Sequence, residues 1–462
     1  MKRLLIFTII CTAISTAFAQ TNNDSTVILE NKANEKPMPK KAANGIHSFV
    51  GKDNVNLADS AQMYGTLLNN TPFENEFKFS PKFAIVGLDG QFFFSTGARM
   101  KFTASYDWNN PIKHPTELLP SKLSQALPGN EHLFQMSAGG SSIYFNIIGF
   151  PNSQNQVGLF INLGLDAENN NSYRLKAKNI YMRYRGILCG YNKSMYHDPE
   201  AEPYSIHDGE VASGDHSSVQ INYQRAIGKR FSFGVGIELP STSYTLPIYE
   251  GTTKDQVVAA MKNVYQRVPD FPLYINCSWG DKGHIRLSTV IRNITSYGIK
   301  SHTYVTGFGL KLSGHVQFKP FTIYGKVHGG RAIANYMTSD DGIGLDIVPS
   351  EELIVVPGEV YNGLKPTYSL GFIGGVQCNF SRKVFASANY SYLRNYIDPY
   401  TCAATQDYKD CLRHAQHLAV NVVWKISSLF NAGIEYAYAT RTLESLNSVG
   451  CNRLAAMFLM TF

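Results

Sequence analysis

The feature that most limits what this chain can fold into is a two-residue rhythm of apolar and polar side chains. It starts near residue 97 and runs to the end. In 99–108, Met100, Phe102, Ala104, Tyr106 and Trp108 fall on one parity, and Arg99, Lys101, Thr103, Ser105 and Asp107 on the other. Residues two apart on a strand point the same way, so each such stretch has one greasy face and one wet face. The split recurs in 157–166, 231–239, 271–279, 284–295, 303–318, 367–380, 384–394, 414–425 and 431–441. Period-two patterning over this length predicts an all-β chain.

The connections sharpen that reading. Short ones fall at 227–230, 280–283, 319–320, 381–383 and 427–430, and long ones at 109–131, 193–216, 241–270, 337–364 and 398–412. Short turns alternating with long loops fit a transmembrane antiparallel β-barrel of about sixteen strands, with the turns periplasmic and the loops external. Within 252–267, Val257, Val258, Met261, Val264 and Tyr265 have helical spacing, which predicts a helix in that loop. Trp108, Trp279 and Trp424 fall at strand ends, where aromatic girdles sit. The last strand, 452–462, carries Leu454, Ala456, Phe458, Met460 and Phe462 on its outward parity. Its terminal Phe462 has the form of a signal for the barrel assembly machinery.

Residues 1–19 read as a secretory signal: Lys2-Arg3, an apolar core, then Ala17-Phe18-Ala19. Residues 20–80 form a polar leader expected to be flexible and periplasmic, with a short helix at 58–68, and the barrel fills 81–462. No apolar run is long enough for a spanning helix. The formal charge of +7 falls to +5 once Lys2 and Arg3 leave with the signal. With no long Lys/Arg run, that excess excludes a nucleic-acid partner. Export permits disulfides, and Cys402 and Cys411 flank one polar segment that they could close. Cys277 and Cys378 read as plain hydrophobes on apolar faces; Cys189 and Cys451 have no assignable partner. Without a Cys-x-x-Cys pair, zinc and redox motifs lack support.

One stretch, 173–223, carries the functional signal. Arg174, Lys176 and Lys178 alternate with Leu175 and Ala177, which places three cations on one face of a strand. A lipid-facing Lys or Arg at mid-membrane costs about 2–4 kcal/mol, so in a barrel these residues face the lumen. Arg99, Lys101, Arg286, Arg292, Lys311 and Lys326 share the polar parity, against fewer acids: Asp107, Asp166, Glu238 and Glu435. This basic set is expected to line the pore. The segment 194–216 is placed to fold back into the barrel, with His197, Asp198, Glu200, Glu202, His207, Asp208 and Glu210 shaping a constriction. Those side chains are metal-ligand types, yet their spacing matches no closed motif, and no metal or cofactor is expected. No Gly-x-Ser-x-Gly elbow is present. His414 and Gln416, on an outward face, read as an interfacial patch, so no enzyme is expected.

The residues Lys176, Lys178, Tyr181, Gly190, Ser194, Asp208, Gly209, Gln220 and Tyr223, in their strand–loop–strand setting, resemble the DcaP-type family of trimeric porins. The match covers roughly 50 residues and is vague elsewhere, apart from the last strand. This chain departs from the pattern in lacking a coiled-coil leader and in having Lys where the family often has Arg. The resemblance implies a homotrimer of sixteen-stranded barrels in the outer membrane of a Gram-negative bacterium, passing small anionic solutes such as dicarboxylates. Two rival readings remain: a barrel with an adhesion or scaffold role and no significant conductance, and an exported soluble β protein.

Overall fold

The computed structural model describes residues 92–150, 155–167, 172–228, 230–240, 267–297, 302–338, 340, 343–349, 364–397, 411–427 and 429–461. It adds short strands at His47–Val50, Phe83–Val86, Ser243–Tyr249, Val257–Asn263, Ile354–Val356 and Glu359–Tyr361. The secretory signal, the helix expected at 58–68, Cys402 and Phe462 lie outside the described residues.

Sixteen antiparallel strands close into a barrel. They are β1 (Phe92–Asn109), β2 in two pieces (His132–Ser137 and Ser142–Gly149), β3 (Val157–Ala167), β4 (Tyr173–Tyr184), β5 (Ile187–Lys193), β6 (Ser217–Ile227), β7 (Phe231–Glu238) and β8 (Phe271–Ser278). The second half comprises β9 (Gly283–Tyr297), β10 (His302–Phe318), β11 (Phe321–Arg331), β12 (Tyr368–Asn379), β13 (Val384–Tyr396), β14 (Leu412–Lys425), β15 (Phe430–Leu443) and β16 (Ser448–Thr461). Each strand pairs with its chain neighbour. The seam closes where β16 meets β1, from Cys451 opposite Asn109 to Thr461 opposite Arg99. Closure leaves no open edge, so the backbone polar groups within the wall are paired along the strands. Beyond the end of β16, Phe83–Val86 continues the pairing on β1, and His47–Val50, within the leader, pairs in parallel with Phe83–Val86.

Outward parity carries Leu312, Val327, Val420, Ile434, Leu454 and Phe458, all exposed. Such a belt is stable only against lipid. Cys277 and Cys378 lie on this outward parity, in keeping with apolar packing. Trp279 and Trp424 fall at the short-turn end, and Trp108 at the long-loop end, where its ring lies 6.2 Å from Tyr436. Tyr392 stacks on His414, and Tyr390 donates to Gln416 at 3.0 Å, an aromatic patch on the outer wall.

Among the described residues no helix is long and apolar enough to cross a membrane. The helix expected in 252–267 is not formed in its described part. Val257–Asn263 is a strand, paired from Ser243 opposite Asn263 to Tyr249 opposite Val257. A short apolar run does not separate helix from strand by spacing alone. Here Val257-Val258 is β-branched, and the hairpin supplies a full ladder of partners. That hairpin joins Ile347–Pro349 and Leu364–Pro366 in a small sheet formed by the long loops.

The core is inside the barrel. Tyr196, Val211 and Ala212 of the 194–216 loop bury against Ile333, Tyr336 and Met337 of a second loop and against Val290, Ile373, Leu393 and Ala415 of the wall.

Candidate functional site in the barrel lumen

The 194–216 loop leaves β5 and crosses the lumen to the far wall, held by a series of polar anchors. Met195 N–H donates to Glu238 at 2.8 Å. Asp198 accepts from His284 at 2.9 Å and from Ser313 at 2.5 Å. Glu202 pairs with Lys326 at 2.5 Å, and the Lys311 ammonium sits 4.3 Å from the centre of the Tyr196 ring. Lys101 donates to the Ile206 carbonyl at 2.5 Å. Glu435 accepts the backbone N–H groups of Ile206 and His207 at 2.6 and 3.0 Å, and Val211 N–H reaches Ser391 at 3.1 Å. The wall makes room for this loop with glycines. A Cβ on Gly371 would lie 2.6 Å from Ala212, and one on Gly375 would lie 2.6 Å from Pro203.

Burial sets the charge state of the loop. It would raise the Asp198 carboxyl. The His284 hydrogen bond and the charges of Arg286 and His284 outweigh it and hold Asp198 well below the usual carboxylate range. Glu210 accepts instead from a neutral group, the Asn389 amide at 3.3 Å. Burial, then Glu202 and other acids nearby, push it up to about 8. Burial lowers His197 well below its ordinary value, with Lys326 and other cations adding to the shift. Burial and the Arg292 charge bring His216 down to about 4.

Two more loops fold inward. In 110–131, Ile112, Leu118 and Leu123 pack on Ala419, Ala437, Ala439 and Val449. Arg453 pins this loop: its guanidinium pairs with Asp107 at 2.6 and 2.8 Å and donates to the carbonyls of Glu117 and His114. In 332–348, Asp346 accepts from Arg292 at 3.0 Å, as does Asp270, and the Tyr336 hydroxyl donates to Asp270 at 3.0 Å. Tyr336 meets Tyr196 edge to face at 5.6 Å.

The basic residues named from the sequence therefore divide. All nine lie on the inner side. Lys101, Arg292, Lys311 and Lys326 are covered by loops and spend their donors or charge on them, and Arg99 is nearly covered. Arg286 is half-covered: it donates to the Met195 carbonyl and stacks on Tyr274 at 3.7 Å. Arg174 and Lys176 stay exposed and Lys178 half-exposed. Of the loop residues, Asp198, His197 and His207 are buried against the wall, Glu202 and Glu210 are half-buried, and Glu200 and Asp208 are exposed.

A β-bulge sets the exposed ladder. Asn179 opposes Asn162 and Ala177 opposes Leu163, which leaves Lys178 as the extra residue. Its side chain lies over Gly164, where a Cβ would come within 2.6 Å of it. Arg174 and Lys176 face inward before the bulge. After it the parity flips, so Asn179, Tyr181 and Arg183 also face inward while Ile180 and Met182 face out. Lys176 stands 3.8 Å from Asp166. Above the flip, asparagines link across strands, Asn162 to Asn179 at 3.0 Å and Asn179 to Asn192 at 2.8 Å. Unbroken alternation from Arg174 would turn Arg183 toward lipid, and no residue in this stretch announces the bulge. Arg453 was findable, since it shares the parity of the inward residues of β16.

Ligand atoms of His114, Glu117 and Asp166 lie within 4.8 Å of one another. Lys122 holds Glu117 at 2.7 Å, so the cluster is already compensated in charge.

A closed sixteen-stranded barrel with an apolar belt, turns at one end, loops at the other and a loop folded across its lumen is the architecture of an outer-membrane channel of Gram-negative bacteria. Among solved structures the chain is similar to the outer membrane channel DcaP of Acinetobacter baumannii, at 13% identity and a TM-score of 0.65, over 80% of this chain and 98% of that one. The fold is thus the one DcaP has. A loop-deletion form of OmpT from Vibrio cholerae (10% identity, TM-score 0.49, 80% and 100% covered) and the anion-selective porin from Comamonas acidovorans (8%, 0.48, 80% and 100%) are more distant. No protein-family model and no curated protein matches the chain.

Proposed function

We propose that this protein is a porin for passive diffusion of small anionic solutes such as dicarboxylates, a channel without catalytic chemistry. The observation that carries the reading is the exposed row of Arg174, Lys176 and Lys178 on the inner wall. Inward positions two apart on a strand lie about 7 Å from one another, which offers an anion a sequence of weak sites from which it can leave. Asp166 beside Lys176 keeps that binding weak. The test is current across a bilayer under a salt gradient. A reversal potential of the sign set by anions supports the reading, and a cation-set sign removes it. A scaffold or adhesion barrel is the rival reading, and a lumen plugged by the three inward loops with no conductance would favour it.

A homotrimer assembled by the barrel machinery through Phe462 belongs to the same reading, as does a bridge between Cys402 and Cys411, worth about 2–3 kcal/mol. Mass mapping of unreduced protein that finds both thiols unbridged removes the bridge. Cross-linking that yields only monomers removes the trimer.

A further inference from the structure

Between the start of the inward loop and the wall of β4 to β9 lies a cavity of about 280 Å³. At about 30 Å³ per water it has room for roughly nine waters, or a solute of about nine or ten non-hydrogen atoms. Its lining carries both signs of charge in fixed places. Arg183 reaches it from β4 and Arg286 from β9. The Arg286 guanidinium is already oriented by the Tyr274 ring at 3.7 Å and by the Met195 carbonyl. The Glu200 carboxylate forms part of the loop side, its side chain 52% exposed and 3.6 Å from His284 Nδ1. His284 turns its other nitrogen to Asp198 at 2.9 Å and its Nδ1 to His315 at 3.0 Å. The side-chain Oδ1 of Asn276 is buried in the lining, and no described donor reaches it.

We infer that this chamber is a subsite for small zwitterions of the α-amino-acid class, with the carboxylate on Arg183 and Arg286 and the ammonium on Glu200 and Asn276. A dianion would meet Glu200 and leave the Asn276 acceptor unfilled, which costs a buried acceptor its desolvation energy. A simple cation would meet two guanidinium groups. Only a solute bearing both charges uses both sides of the lining. The inference rests on the lumen admitting solutes, as the porin reading requires, and not on the ion preference of the ladder.

The experiment reads current fluctuations of single channels with glutamine and with succinate as probes. The wild type should bind glutamine more tightly than succinate. Glu200→Gln, an exposed change that leaves the loop anchors intact, should weaken glutamine about tenfold and strengthen succinate. Arg183→Gln should weaken both. Succinate binding better than glutamine in the wild type, or the two affinities moving together in Glu200→Gln, overturns the subsite. A protein that does not conduct overturns the porin reading instead. Calorimetry of the detergent-solubilised protein with glutamine then decides the subsite alone: heat of binding lost in Glu200→Gln supports it, and no binding ends it.

Discussion

The two halves of the inner wall are built on opposite plans. On β14 and β15 the inward face carries a run of small residues, Ala415, Ala419, Gly433, Ala437 and Ala439, among larger ones such as His417, Asn421, Glu435 and Arg441. On β4, on either side of a buried patch of Phe160, Asn162, Asn179 and Tyr181, the inward residues are long and charged: Arg174, Lys176, Lys178 and Arg183. The first surface is shaped to be covered. Small side chains let the 110–131 and 194–216 loops approach, apolar area leaves water at about 25 cal/mol per Å², and Asn421 and Glu435 bond to the backbone of the 194–216 loop. The second surface is shaped to stay wet, since long charged side chains lose too much solvation to be covered without partners. The lesson is that inward does not mean water-facing. In this barrel the same parity serves as a core on one side and as a passage on the other.

Breaking an ion pair should separate the halves most sharply. Arg453→Ala strands Asp107, which is fully buried, and releases the carbonyls of His114 and Glu117. We expect a loss of about 3–5 kcal/mol, read by denaturant unfolding in detergent. On the wet wall, Arg174→Ala should change stability by less than about 0.5 kcal/mol. Equal effects would erase the distinction.

Acid should act on the covered half alone. The docked value of His216, about 4, lies below its ordinary 6.5. Between those values a released loop takes up a proton that the docked loop refuses. The His216 contribution to docking is therefore full above pH 6.5 and weakens as pH falls toward 4, by at most about 3 kcal/mol, while Glu210, raised to about 8, contributes with the opposite sign as pH rises from 4.5. The groups around this ring are Arg292, Asp215 and Tyr336. Protease cleavage within 194–216 should rise more between pH 6.5 and 4 in the wild type than in His216→Gln. Identical profiles in the two proteins would contradict this.

Adjacent glycines give a smaller effect. Gly375→Leu would push against Pro203 and should undock the loop by about 1–3 kcal/mol. A Cβ on Gly374 meets nothing within 4 Å, and Gly374→Leu, on the outward parity, should be silent. Conductance of the two variants separates them: a rise in the first only is expected, and no difference would show that the loop does not depend on this contact.

Much of this was legible in the sequence, for physical reasons. Alternation and turn spacing placed β9, β10 and β12 to β15 to within about two residues at each end, because lipid on one side enforces period two. The 194–216 loop was legible as a long polar insert between two strands. What covers it was not. Arg292, Lys311 and Lys326 have the same parity as Lys176, and parity carries no information about a loop arriving from far along the chain. The β4 bulge was hidden too, since a single extra residue leaves composition unchanged while turning Arg183 from lipid to lumen.

The central claim is that the exposed wall of β4, and not the covered half, sets which ions pass. Arg174→Glu, Lys176→Glu and Lys178→Glu combined in one barrel, with folding checked by migration on unboiled gels, tests it through the reversal potential in a salt gradient. The account predicts an anion-set sign in the wild type and a shift toward cations in the triple variant. A folded triple variant that keeps the wild-type reversal potential would contradict it.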